Sequence, residues 1–70
     1  MVKTVLGIEG MACSMCEAHV NDAIRKNFDV KKVKASRRKR NCIVESEEPL
    51  DSERLEAVIA EIGYELTSID

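Results

Sequence analysis

The hydrophobic period switches between two and 3.6 along this chain, and the order of the switches leaves few folds open. Val2, Thr4, Leu6 and Ile8 share one face in a period-two pattern, which predicts a strand from Val2 to Ile8 running into Gly7 and Gly10 at its end. Cys16, Val20, Ala23 and Ile24 then recur at helical spacing with Asp22, Arg25 and Lys26 facing outward, which predicts an amphipathic helix from Ser14 to about Lys26. Cys16 falls at the rim of its apolar stripe. Val30, Val33 and Ala35, then Cys42, Ile43 and Val44, read as two strands joined by the polar stretch "SRRKRN", long enough for a hairpin loop. In the second of these, either Cys42 with Val44 or Ile43 with Asn41 and Glu45 faces the core; the first choice buries more apolar surface and is preferred.

A second helix is marked by Leu55, Val58, Ile59 and Ile62, with Asp51 as N-cap, Leu50 and Leu55 as a hydrophobic staple, and Gly63 as C-terminal cap. A short strand from Glu65 to Ile69 completes β-α-β-β-α-β. This is an α+β, ferredoxin-like sandwich of two helices on one four-stranded antiparallel sheet. In that topology the loops after the first strand, after the second strand and after the second helix emerge at one end, which brings the Cys13/Cys16 loop, the basic hairpin and Tyr64 together.

With 70 residues the chain reads as a single domain over 1–70, and folding buries only about 60% of the unfolded surface. That leaves no room for a substrate cleft beside a core, so an enzyme is not expected. Phe28 and Tyr64 are the aromatics of an otherwise aliphatic interior. No apolar run approaches the roughly 20 residues of a membrane span, and no charged segment followed by an apolar one stands at the N-terminus. These features predict a cytoplasmic protein without membrane insertion. Thiols stay reduced there, so three cysteines in a short chain read first as metal ligands or redox groups.

The chemistry is concentrated in "GMACSMCEAH", residues 10 to 19. Thiolate is the form that binds metal or attacks a disulfide, and a helix N-terminus, where Cys16 lies, favours it. Residues three apart at a helix start have Cβ atoms about 5–6 Å apart, while two sulfurs on opposite sides of one ion stand about twice a 2.3 Å metal–sulfur bond apart. The pair can grip one ion or close into a disulfide, and spacing alone does not choose. With Glu17 the only acid near it, a two-thiolate site suits a soft, low-coordinate ion such as Cu(I) better than Zn(II), which normally takes four ligands.

The stretch "GIEGMACSMCEAHVNDAIRK", with "EAVIAEIGYEL" near the C-terminus, resembles the heavy-metal-associated domain family of copper chaperones and amino-terminal modules of copper-transporting P-type ATPases. The likeness spans essentially the whole chain, and its most specific element is Gly10-Met11-x-Cys13-x-x-Cys16 after a strand. The resemblance implies one Cu(I) per chain held by Cys13 and Cys16 and passed to a similar domain by stepwise thiolate exchange. Met11 would match the family's buried, non-ligating methionine. Tyr64 would match a tyrosine beside the site in bacterial copper chaperones. Ala12 stands where the family usually has threonine, removing a hydroxyl able to cap the helix. The alternatives are a carrier of Hg(II), Zn(II) or Cd(II), or a thiol-disulfide oxidoreductase in which Cys13 attacks and Cys16 resolves.

Other residues have plainer readings. Met15 reads as a flexible side chain over the site. His19, three residues after Cys16, is a surface histidine before it is a third ligand. Cys42 is a small buried hydrophobe before it is a ligand. The segment "KKVKASRRKR" holds seven of the eleven basic residues and no acid, whereas residues 45 to 70 hold nine acids and one base. A basic patch beside the loop would steer the protein toward an acidic partner, here an acidic domain of the same kind on a copper-transporting ATPase. Nucleic acid is not expected, because the strands before Tyr64 offer no aromatic for base stacking. The protein is expected as a monomer, or as a dimer bridged by the metal.

Overall fold

The computed structural model describes residues 1–70 as β1 (Val2–Glu9), α1 (Ser14–Asn27), β2 (Lys32–Ser36), β3 (Asn41–Ser46), α2 (Ser52–Glu61) and β4 (Glu65–Ile69). The strands form one antiparallel sheet in the order β2-β3-β1-β4. Both helices cover one face of it, which is the ferredoxin-like arrangement expected from the switches in period.

The period-two residues do what their pattern requires. Leu6, Ile8, Val33, Ala35, Cys42 and Val44 point to the helical side, where Val20 and Ile24 of α1 and Leu55 and Ile59 of α2 close the core. The preferred register of β3 is the observed one, with Cys42 opposite Leu6 on β1 and Ala35 on β2. Two boundaries differ from expectation. Val30 lies before β2 rather than in it, and the hairpin loop is four residues, Arg37 to Arg40, because Ser36 and Asn41 pair across its base. Arg40 takes the left-handed φ of 55° that closes so short a turn.

The second helix is capped as its sequence predicts. The Asp51 carboxylate accepts from the Glu53 amide at 3.0 Å, and Leu50 packs against the cluster containing Leu55. At the other end Gly63, at φ 90°, donates to Ala60 and Tyr64 donates to Ile59. This double closure needs a left-handed residue at Gly63 and turns the chain sharply into β4. The consequence for the site is the placement of Tyr64 at the same end of the sheet as the β1–α1 loop. Neither helix is long and apolar enough to cross a membrane.

Candidate metal centre

The β1–α1 loop leaves the sheet through Gly10, at φ 106°, with Tyr64 packed against it. A side chain at Gly10 would place its Cβ 3.0 Å from Tyr64 Cδ1. Only glycine meets both demands, and the chain thereby reverses within reach of the tyrosine. Met11 is half-buried and packs on the core, anchoring the loop.

Cys13 is the N-cap of α1, in extended conformation, and its carbonyl accepts from the amides of Cys16 at 3.0 Å and Glu17 at 3.3 Å. No side chain caps this helix. The cap position is therefore Cys13 itself, so the hydroxyl missing at Ala12 was not the cap its position suggested. Amides left unpaired in the first turn are available to negative charge on sulfur.

The two sulfurs lie 3.4 Å apart, with Cys13 exposed and Cys16 half-buried. This is shorter than the roughly 4.6 Å that two 2.3 Å bonds in line would span. Capture of a linearly held ion requires the exposed Cys13 side chain to swing outward, a rotamer change that nothing packed around it opposes.

The two thiols are not equivalent. Cys16 is pulled down from 9.0 to about 6, first by a hydrogen bond from the Tyr64 hydroxyl, then by the backbone of Ala12 and by Cys13. The reciprocal effect pushes Tyr64 up to about 12, because its phenol is held protonated as the donor to Cys16. Tyrosine thus supplies the leading stabilisation of the thiolate, and backbone groups at the helix start, the source the sequence points to, add to it.

The remaining candidates separate from the pair. No third His, Cys, Asp or Glu joins Cys13 and Cys16 in a ligand cluster. His19 is exposed and lines the groove between α1 and α2 with Ala23, Val58 and Ile62. Cys42 is buried in the sheet, and desolvation raises its thiol to about 11. Met15 is 67% exposed, an apolar side chain held in solvent beside the thiols. The basic hairpin does adjoin the site, tied to α1 through Glu17, whose carboxylate accepts from the Arg37 amide at 2.8 Å. That contact was not foreseen, although Glu17 and Asn21 stand four residues apart on one face of α1.

The heavy-metal-associated domain profile matches residues 5–65. The chain belongs to the heavy-metal-associated domain family. Solved structures sharing the architecture of this heavy-metal-associated domain include the CopZ metallochaperone, 19% identical with a TM-score of 0.85 over 94% of this chain and 100% of that one. The N-terminal domain of ZntA in its Zn(II) form is 22% identical, with a TM-score of 0.81 over 93% of this chain and 88% of that one. Oxidised MerP from Ralstonia metallidurans is 28% identical, with a TM-score of 0.78 over 94% and 93%. The heavy-metal-associated family fits a site whose donors are two adjacent thiols at a loop.

Proposed function

We propose that residues 1–70 form one cytoplasmic heavy-metal-associated module that binds a single Cu(I) through Cys13 and Cys16 and hands it to a partner by thiolate exchange. The observation that carries this reading is the donor set: two sulfurs, one already favoured as thiolate by Tyr64, and no third ligand beside them. A soft ion content with two sulfurs is satisfied there, whereas Zn(II) would lack half of its usual tetrahedron.

Transfer follows from the same shortage of ligands. An incoming thiolate of the partner occupies the open side of the ion, giving a three-sulfur intermediate. One of the original thiolates then departs, most easily Cys13, which is exposed and held by no cap. Cys16, whose thiolate Tyr64 favours, is the last to let go. Met11 and Tyr64 support the site without bonding to the ion. Seven basic residues between 31 and 40 favour an acidic recipient, for which a heavy-metal-associated domain of a copper-transporting ATPase is the natural candidate.

A second reading, carriage of Hg(II), is favoured by the same two-sulfur donor set, and the likeness to MerP is consistent with it. The deciding experiment is an anaerobic titration of the reduced protein with Cu(I), Hg(II) and Zn(II) against competing chelators. One tightly held Cu(I) per chain, not displaced by Zn(II), is the expected result. Preference for Zn(II) would overturn the two-ligand site.

A further inference from the structure

The sheet has two edges, and they are treated differently. Each edge is met by a helix, β4 by α2 and β2 by α1, but it is along β2 that helix side chains bond outer backbone amides. The meeting is specific. Asn21 Oδ1 accepts from the Ala35 amide at 2.9 Å, and Glu17 Oε2 accepts from the Arg37 amide at 2.8 Å. Val33 and Ala35 alternate along β2 with Lys32, Lys34 and Ser36, and Arg37 follows in the same alternation at the start of the loop, so the Ala35 and Arg37 amides are among those directed away from β3.

The match is geometric. Four residues of helix rise about 6 Å, and two residues of strand advance about 6.8 Å. A helix lying along a strand can therefore offer acceptors at i and i+4 to amides at j and j+2, and α1 does so with side chains in place of a neighbouring strand. Glu17 adds a charge contact, its Oε1 lying 3.9 Å from the Arg37 guanidinium. Glu17 also follows Cys16 directly, and its own amide bonds to the Cys13 carbonyl at 3.3 Å. One residue thus joins the turn that carries both thiols to the first residue of the basic loop Arg37–Arg40.

We propose that Glu17 is a positioning residue that registers the basic hairpin against the dithiol turn, so that the two present one docking surface to an acidic protein partner. The inference rests on the transfer reading above for its use, although the mechanical link does not depend on the metal. Glu17 accordingly acts through geometry: its negative charge by itself would weaken attraction to an acidic partner, and its acceptor oxygens fix where the cations sit.

Comparison of E17Q with E17A separates these effects. Glutamine keeps an acceptor for the Arg37 amide and loses the charge; alanine loses both. The probes are a synthetic dithiol peptide, Cys-Gly-Gly-Cys flanked by glutamates, and the same peptide flanked by glutamines. Wild type and E17Q loaded with Cu(I) should transfer to the acidic peptide about tenfold faster than to the neutral one at low salt. E17A should fall to within about twofold, with Cu(I) affinity the same in all three proteins. N21A, which releases only the lower rung, should fall between them and gives a second variant should E17A fold poorly.

Equal ratios in E17Q and E17A would overturn positioning and leave charge alone. A readout independent of metal distinguishes failure of this inference from failure of the function. In amide NMR spectra of the reduced apo-protein, E17A should shift both Arg37 and Cys16, and E17Q should shift them far less. Movement at Arg37 with Cys16 unmoved would show the hairpin and the turn to be uncoupled, even if no form of the protein bound Cu(I).

Discussion

Cys16 and Cys42 are the same side chain in opposite circumstances. Cys16 sits at the start of a helix, where the Tyr64 phenol and nearby backbone groups lower its thiol from 9.0 to about 6. Cys42 is 0% exposed among Leu6, Ala35 and Val44, and desolvation lifts it to about 11. The difference, about five pH units within one small protein, comes from position alone. Reactivity in a thiol is therefore a property of the place, and the core cysteine is a hydrophobe that happens to contain sulfur.

The sharpest way to break this contrast is alkylation at pH 7 of a Cys13→Ser variant, mapped by mass spectrometry. Cys16 should react at least about a thousandfold faster than Cys42 in the folded protein, from thiolate fraction and access together. Comparable rates would mean that Cys42 is reached or that Cys16 is not ionised.

Metal binding should divide the cysteines along the same line. Cys13→Ser or Cys16→Ser should weaken Cu(I) binding by more than about a hundredfold, since even outer partners of a metal site are commonly worth 10–100-fold. Cys42→Ala should leave affinity unchanged, and so should His19→Ala; a large loss in either would enlarge the ligand set. Stability should divide the other way. Cys42→Ser buries a hydroxyl in an apolar layer and should cost about 1–3 kcal/mol, seen as a lower denaturant midpoint. Serine at Cys13, the N-cap position of α1 that lacks a side-chain cap, offers a hydroxyl to the first-turn amides and should leave stability unchanged or raise it by up to about 1 kcal/mol.

Removing the Tyr64 hydroxyl tests the cause of the low value at Cys16. In Tyr64→Phe the thiolate absorbance of Cys16 should titrate about one unit higher, the size of one lost hydrogen bond. The same shifts shape the pH profile of folding. Between about 6 and 9.0 the unfolded chain keeps the Cys16 proton that the folded one has released, so stability should rise with pH in that window. From 9.0 toward about 11 the unfolded chain ionises Cys42 while the core holds it neutral, so stability should fall again. Denaturant midpoints measured across pH 5 to 11, by titration of wild type and Cys42→Ala, check both arms.

Most of the fold was legible because periodicity reports burial directly. Val2 to Ile8, the α1 stripe and the α2 stripe each announce one face, and the caps at Asp51 and Gly63 fix where α2 starts and stops. The end of β2 was not legible: Ser36 and Asn41 look like loop residues, and only their pairing across the sheet makes them strand. Of the site, the adjacent thiols and the nearness of Tyr64 followed from spacing and topology. The order of influences on Cys16 did not, because the influence of Tyr64, 48 residues away, depends on where Gly10 and Gly63 aim two loops. Nor did the Glu17 and Asn21 contacts with β2, since polar residues on a helix surface look alike until a strand edge is laid beside them.

Antiparallel pairing of the first and last strands has a further outcome. Val2 opens β1 at the end of the sheet remote from the thiols, and β4 runs back beside β1 until Asp70 bonds to Val5. Both termini thus leave from the side away from Cys13 and Cys16. A tether attached at either terminus keeps clear of the dithiol face, so units of this shape can be strung along a polypeptide, or anchored to a bead, with every cysteine loop still pointing outward.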